Sequence, residues 1–168
     1  MQTESKTIFL VDDDVTNLAV GADALADYYN VFTFNSGKLM LKRLARHKPS
    51  LILLDVEMPE MNGYGVIQNI KQNHETNHIP VIFLTARIDN DSELEGLSLG
   101  ASDYIFKPFS PMLLRKRIEI HLLLESQKAE LKHFNENLLE MVEAKTRAVV
   151  ELQNAILNTM STLVYAMS

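Results

Sequence analysis

Four aspartates, a hydroxyl and a lysine fall directly after short apolar runs. Asp12-Asp13-Asp14 follows Thr7–Val11, Asp55 follows Leu51–Leu54, Thr85-Ala86 follows Pro80–Leu84, and Lys107-Pro108 follows Tyr104–Phe106. Carboxylates that converge raise one another's pKa unless a cation is present. A hard divalent ion relieves that repulsion, and Mg²⁺ suits two or three carboxylates with several waters. A carboxylate beside such an ion, a hydroxyl and an ammonium is equipped to accept a phosphoryl group. It attacks phosphorus to give an acyl phosphate, while the cations neutralise the equatorial oxygens. Singly, each residue has an ordinary alternative: a helix cap, a self-satisfied threonine, a Lys-Pro boundary. The ordered set is what points to phosphoryl chemistry.

The elements that must position these residues alternate. Strand-like runs at Thr7–Val11, Val31–Phe34, Leu51–Leu54, Pro80–Leu84 and Tyr104–Phe106 are separated by helical patterns at about Val15–Tyr28, Gly37–Arg46, Gly63–Gln72 and Ser92–Leu99. The third and fourth runs are almost continuous in Leu, Ile, Val and Phe, as in a parallel sheet covered on both faces. Thr16, Asn62 and Asp91 stand where N-caps are useful, and Gly100 follows the fourth helical stretch. Five strands alternating with helices predict a doubly wound α/β domain over residues 1–109. Sites in such folds lie at the carboxyl ends of the strands, where all four motifs fall.

Residues 110–168 follow another pattern. Ser110-Pro111 predicts an N-cap with proline at the first helical position. No proline and no glycine follow. Val142, Val149, Ile156 and Leu163 recur every seventh residue, and Leu124, Leu131, Leu138 and Leu152 form a second series interrupted by Lys145. A helix of this kind predicts a two-stranded parallel coiled coil, hence a homodimer. A helix that folds back, or packs on another domain, is the alternative.

Composition bounds the partners. The 168 residues contain no cysteine, which excludes disulfides and thiolate metal sites. No apolar run reaches the eighteen or so residues of a membrane span, and the polar start has no signal-peptide core. A cytoplasmic location is expected. The acidic excess of the first 109 residues and the balanced charge of the remainder disfavour binding to nucleic acid.

The segments Phe9-Leu-Val-Asp-Asp-Asp14, Leu54-Asp-Val-Glu-Met-Pro-Glu-Met-Asn-Gly63, Phe83-Leu-Thr-Ala86 and Gly100-Ala-Ser-Asp-Tyr-Ile-Phe-Lys-Pro-Phe109 closely resemble the receiver domain of two-component response regulators. The resemblance implies a flavodoxin-like, CheY-like sheet of order 2-1-3-4-5. It implies that Asp55 is the phosphoacceptor, charged by a sensor histidine kinase. Asp12, Asp13 and the backbone carbonyl of Glu57 would hold Mg²⁺ together with Asp55, Asp13 directly. Thr85-Ala86 and Lys107 would contact the phosphoryl group, and Tyr104 would be the aromatic switch residue. Glu57 places an acid near the route of hydrolytic water.

Two other readings are weighed. Asp12-Asp13-Asp14-Val15-Thr16 fits the Asp-x-Asp-x-Thr nucleophile motif of haloacid-dehalogenase-type phosphatases, but their later aspartate pair is missing, since the last aspartate is Asp103. That reading also leaves Asp55 unexplained and is rejected. A mononucleotide-binding domain lacks its glycine-rich loop after the first strand.

The helical segment from Glu143 to Val164 resembles the connector entering HD-GYP cyclic di-GMP phosphodiesterase domains. After Val164 the sequence departs, with Tyr-Ala-Met-Ser where an acidic residue and Arg-Asp are expected, and no His-Asp pair occurs in the helix. The expectation is a non-enzymatic receiver with the output domain outside these residues. Diguanylate cyclase and serine phosphatase outputs, or a stand-alone interaction protein, are the alternatives. His121 and His133 lack the context of a kinase phosphoacceptor and read as ordinary helix residues.

Overall fold

The computed structural model describes residues 5–86 and 96–167. Its strands are β1 (Thr7–Val11), β2 (Asn30–Phe34), β3 (Leu51–Asp55), β4 (Val81–Thr85) and β5 (Asp103–Phe106). The helices are α1 (Val15–Leu25), α2 (Gly37–Leu44), α3 (Gly63–Gln72) and α4 (Pro111–Ala166). All strand pairs are parallel and the order is β2-β1-β3-β4-β5, as expected.

Alternation along each strand builds two cores. Phe9, Val11, Ile52, Leu54 and Phe83 face α2 and α3, where they meet Met40, Leu44, Val66, Ile67 and Ile70. Ile8, Leu10, Leu51, Leu53, Ile82 and Leu84 face the other way, onto Leu18 and Leu25 of α1 and Leu114 and Ile118 of α4. β3 and β4 are buried at every residue, which explains their unbroken apolar sequence. The edge strand β2 is only partly covered, and its sequence is correspondingly mixed.

Local chemistry sets the helix starts. Asp14, not Thr16, caps α1: its Oδ1 accepts from Thr16 N at 2.7 Å and its backbone is extended. The helix therefore begins at Val15, and Thr16 lies inside the first turn. α1 ends at Leu25, three residues before the expected Tyr28, and Tyr28 N instead bonds to Leu25 O in a turn. Asn62 caps α3 as expected, accepting from Gly65 N at 2.9 Å. Ser110 caps α4, accepting from Leu113 N at 3.2 Å. Half of the stretch expected at about 92–99, with Asp91, lies outside the described residues; 96–98 are helical, and Gly100 follows at φ 95°. That left-handed conformation suits glycine.

Contacts divide the chain into two units, Met1–Glu125 and Ser126–Ser168. The first contains the sheet, α1–α3 and the start of α4. In the second, every described residue is exposed, including Leu131, Leu138, Val142, Val149, Leu152, Ile156 and Leu163. Among the described residues no helix is long and apolar enough to cross a membrane.

Candidate functional site at the strand ends

The parallel register brings the carboxyl ends of β1, β3 and β4 level, so Asp12, Asp55 and Thr85 emerge at one edge. All three are buried, with exposures of 1%, 4% and 3%. Asp13, between Asp12 and the capping Asp14, is exposed. Carboxylate oxygens of Asp12, Asp13 and Asp55 lie within 4.8 Å of one another. The run of three aspartates thus has divided duties: two face the cluster and the third starts a helix.

Lys107 reaches into this cluster from the end of β5. Its Nζ donates to Asp12 Oδ2 at 2.6 Å and lies 3.1 Å from Asp55 Oδ1. Lys107 N donates to Thr85 O at 2.8 Å, so the backbone beneath the ammonium is tied to β4. The Lys107-Pro108 peptide bond is cis. Asp12 Oδ1 accepts from Asp14 N at 2.9 Å and from Asn17 Nδ2 at 3.2 Å. Asn17 is a contact the sequence reading missed. It lies in the first turn of α1 with its side chain on Asp12, and its only signal was that position after the cap.

These surroundings act oppositely on the two partners. Burial pushes the Asp55 carboxyl above its usual range, and neighbouring Asp12 adds to this, while Lys107 opposes it. For Lys107, burial pulls the ammonium down, but its hydrogen bond to Asp12 and the charge of Asp55 outweigh that and hold it above its usual value. A cation is thus held next to a carboxylate that is reluctant to stay charged. Glu57 N approaches Asp55 Oδ1 at 3.4 Å, and the Glu57 side chain is exposed. Ala86, after Thr85, is also exposed.

Tyr104 is not part of the carboxylate cluster. Its ring, 6% exposed, packs on Phe83 with centroids 5.2 Å apart. A Cβ at Gly96 would overlap the Tyr104 hydroxyl, so the inward position of this ring depends on glycine there. Gly63 has a similar relation to the site: a Cβ would come within 2.5 Å of Asp55 O and 2.9 Å of Val56 Cα. Its N–H donates to Val56 O at 2.9 Å, docking the start of α3 directly under the end of β3.

The model of the response regulator receiver domain matches residues 8–119. The chain belongs to the receiver domain family. Among curated proteins it is 41% identical over 157 residues to the probable cyclic di-GMP phosphodiesterase of Vibrio cholerae, covering 94% of this chain and 36% of that protein. It is 39% identical over 115 residues to the response regulator PleD of Caulobacter vibrioides, covering 68% of this chain and 25% of that one. The chain therefore spans about a third or less of these relatives' length. The chemotaxis protein CheY4 of Vibrio cholerae superposes with a TM-score of 0.66 at 26% identity, covering 68% of this chain and 97% of that one. The fold of this receiver is CheY-like, as the residues had suggested.

Proposed function

We propose that this receiver accepts a phosphoryl group on Asp55 from the phosphohistidine of a sensor kinase and passes the change to α4. The observation that carries the reading is the buried Asp55 carboxylate with Lys107 Nζ at 3.1 Å and the oxygens of Asp12 and Asp13 within 4.8 Å. An Asp55 oxygen attacks phosphorus, the nitrogen–phosphorus bond breaks, and its electron pair returns to the donor imidazole. Lys107 neutralises charge on the transferring group, and the Thr85 hydroxyl, at the end of the adjacent strand, is suited to bind one of its oxygens.

Three hard oxygen donors, one of them exposed, fit a small divalent cation that keeps several waters, and Asp12, Asp13, Asp55 and the Glu57 carbonyl would hold Mg²⁺. When bound, it supplies charge neutralisation to the phosphoryl oxygens. Asp12 and Lys107 already compensate one another, so the buried charges are organised before the donor arrives.

Tyr104 is already buried. On this reading phosphorylation draws Thr85 toward the new oxygens and stabilises the inward ring, a shift of population between two packings. β5 and the first turns of α4 carry the change, since Ile105, Leu114 and Ile118 share one core. α4 then serves as a coiled-coil linker in a homodimer, with the seam at Leu131, Leu138, Val142, Val149, Leu152, Ile156 and Leu163. The match to the Vibrio cholerae phosphodiesterase covers 94% of the chain and so reaches well past residue 119 into this helix. That favours a cyclic di-GMP phosphodiesterase output of the HD-GYP kind.

Incubation with acetyl phosphate or phosphoramidate and Mg²⁺, read by intact mass, tests the site. The mass gain of one phosphoryl group is expected. No gain, or a gain that persists in Asp55→Asn, would overturn the assignment.

A further inference from the structure

The apolar face of the second unit does not follow an uninterrupted seven-residue repeat. Leu131 and Val149, Phe134 and Leu152, and Leu138 and Ile156 are each 18 residues apart, the span of five turns of a straight helix. Met141 and Val142, side by side, extend the same stripe toward Lys145. A strict heptad frame through Leu131, Leu138, Val149 and Leu152 would instead place Lys128 and Asn135 at the centre of the contact, and would leave Phe134 and Met141 at its edge. Phe134 and Met141 are 63% and 58% exposed, so neither is committed elsewhere. A frame that interposes eleven residues, Leu138 to Ala148, between heptads removes the conflict: Phe134 and Met141 enter the contact and Lys128 and Asn135 leave it. Thr159, on the same stripe, directs its hydroxyl to Ala155 O at 2.8 Å, which turns its methyl group outward.

We infer that a second copy of this chain covers this stripe, in a parallel pair whose frame shifts by four residues between Leu138 and Val149. The inference rests on the homodimer reading above and deepens it. The nine half-exposed apolar side chains of this frame, at about 100 Å² each, come to roughly 900 Å² per copy, comparable with one side of a standard interface of about 800 Å². The shifted frame also spares the pair a central lysine layer at residue 128, so that Lys145 is the single cation on the axis between Leu124 and Leu163. An 11-residue step relaxes the left-handed supercoil locally, leaving the two helices straighter around Lys145 than in the flanking heptads.

The natural sequence has no cysteine, so single cysteines report contacts without interference. Four variants of the full chain, Lys128→Cys, Phe134→Cys, Asn135→Cys and Met141→Cys, are oxidised in parallel, and disulfide-linked dimer is followed by non-reducing electrophoresis. Dimer is expected to form at least tenfold faster at 134 and 141 than at 128 and 135. Equal rates, or faster crosslinking at 128 and 135, would overturn the frame shift while leaving the homodimer intact. No crosslinking at any position, with a monomer by light scattering, would remove the homodimer and the frame shift together.

Discussion

Lys107 Nζ donates to Asp12 Oδ2 at 2.6 Å, although the two residues follow strands separated by two others in the sheet. Such a contact closes the site across its width. It couples the end of β5 to the end of β1, with Asp55 between them as the second acceptor of the same ammonium.

Removing that ammonium leaves two buried carboxylates facing each other. Lys107→Ala is expected to destabilise the fold by about 2–4 kcal/mol without divalent cations, measured by urea unfolding. Because the folded state holds the Lys107 pKa above the ordinary 10.5, its contribution is complete below that value. It is lost as pH rises through the folded value, so wild type and variant should converge in strongly alkaline buffer.

Asp55 shifts in the same direction, with the opposite consequence at neutral pH. Its pKa is raised by burial from the ordinary 3.8, so the folded state favours the protonated form. The group assists folding below the ordinary value, and that assistance is lost as pH climbs through the raised one. At neutral pH in metal-free buffer, Asp55→Asn should therefore be more stable than wild type. The advantage should shrink toward pH 4. Thermal melts by circular dichroism across that range will show whether it does.

Asp13 is exposed and should matter only when a cation is present. Asp13→Asn is expected to leave metal-free stability within about 0.5 kcal/mol. Wild type should gain about 1.4 kcal/mol for each tenfold rise of Mg²⁺ above its Kd, and the variant should lose most of that response. Titrating Mg²⁺ during thermal unfolding of both proteins checks the contrast.

Two neighbouring glycines should behave differently. A Cβ at Gly63 meets backbone at 2.5 and 2.9 Å, whereas at Gly65 the nearest atom is Met61 Cγ at 3.3 Å, on a side chain that can move. Gly63→Ala is expected to cost about 1–3 kcal/mol and to slow phosphorylation by shifting Asp55. Gly65→Ala, inside a helix, should be neutral or stabilise by up to about 1 kcal/mol. Denaturation midpoints and acetyl phosphate kinetics on both variants separate the two cases.

Much of this was legible because it is periodic or punctuated. The uniform burial of β3 and β4 is written in Leu51–Leu54 and Val81–Leu84, and the strand-end residues follow those runs directly. Asn62 and Ser110 revealed themselves as caps by their places before helical patterns. Competition between adjacent candidates was harder to read. Asp14 and Thr16 are both good caps, and the choice depends on where Asp12 and Asp13 must point. Close packing of single side chains between distant segments was not legible. Nothing near Gly96 in sequence announces that the Tyr104 hydroxyl rests against it, because the contact exists only once β5 has paired with β4.

The change of duty within Asp12-Asp13-Asp14 constrains how the chain tolerates alteration. Three identical residues in a row look redundant, yet their side chains serve a half-buried ammonium, a surface-facing cluster and the first turn of α1. Deleting any one of them yields the same protein, with two aspartates where there were three. The loop would then be one residue short, and either the helix loses its cap or the cluster loses an acid. Lengthening the run by one aspartate adds charge without adding a position to hold it. The segment is thus sensitive to its length more than to its composition, a property that alignment by residue type alone would overlook.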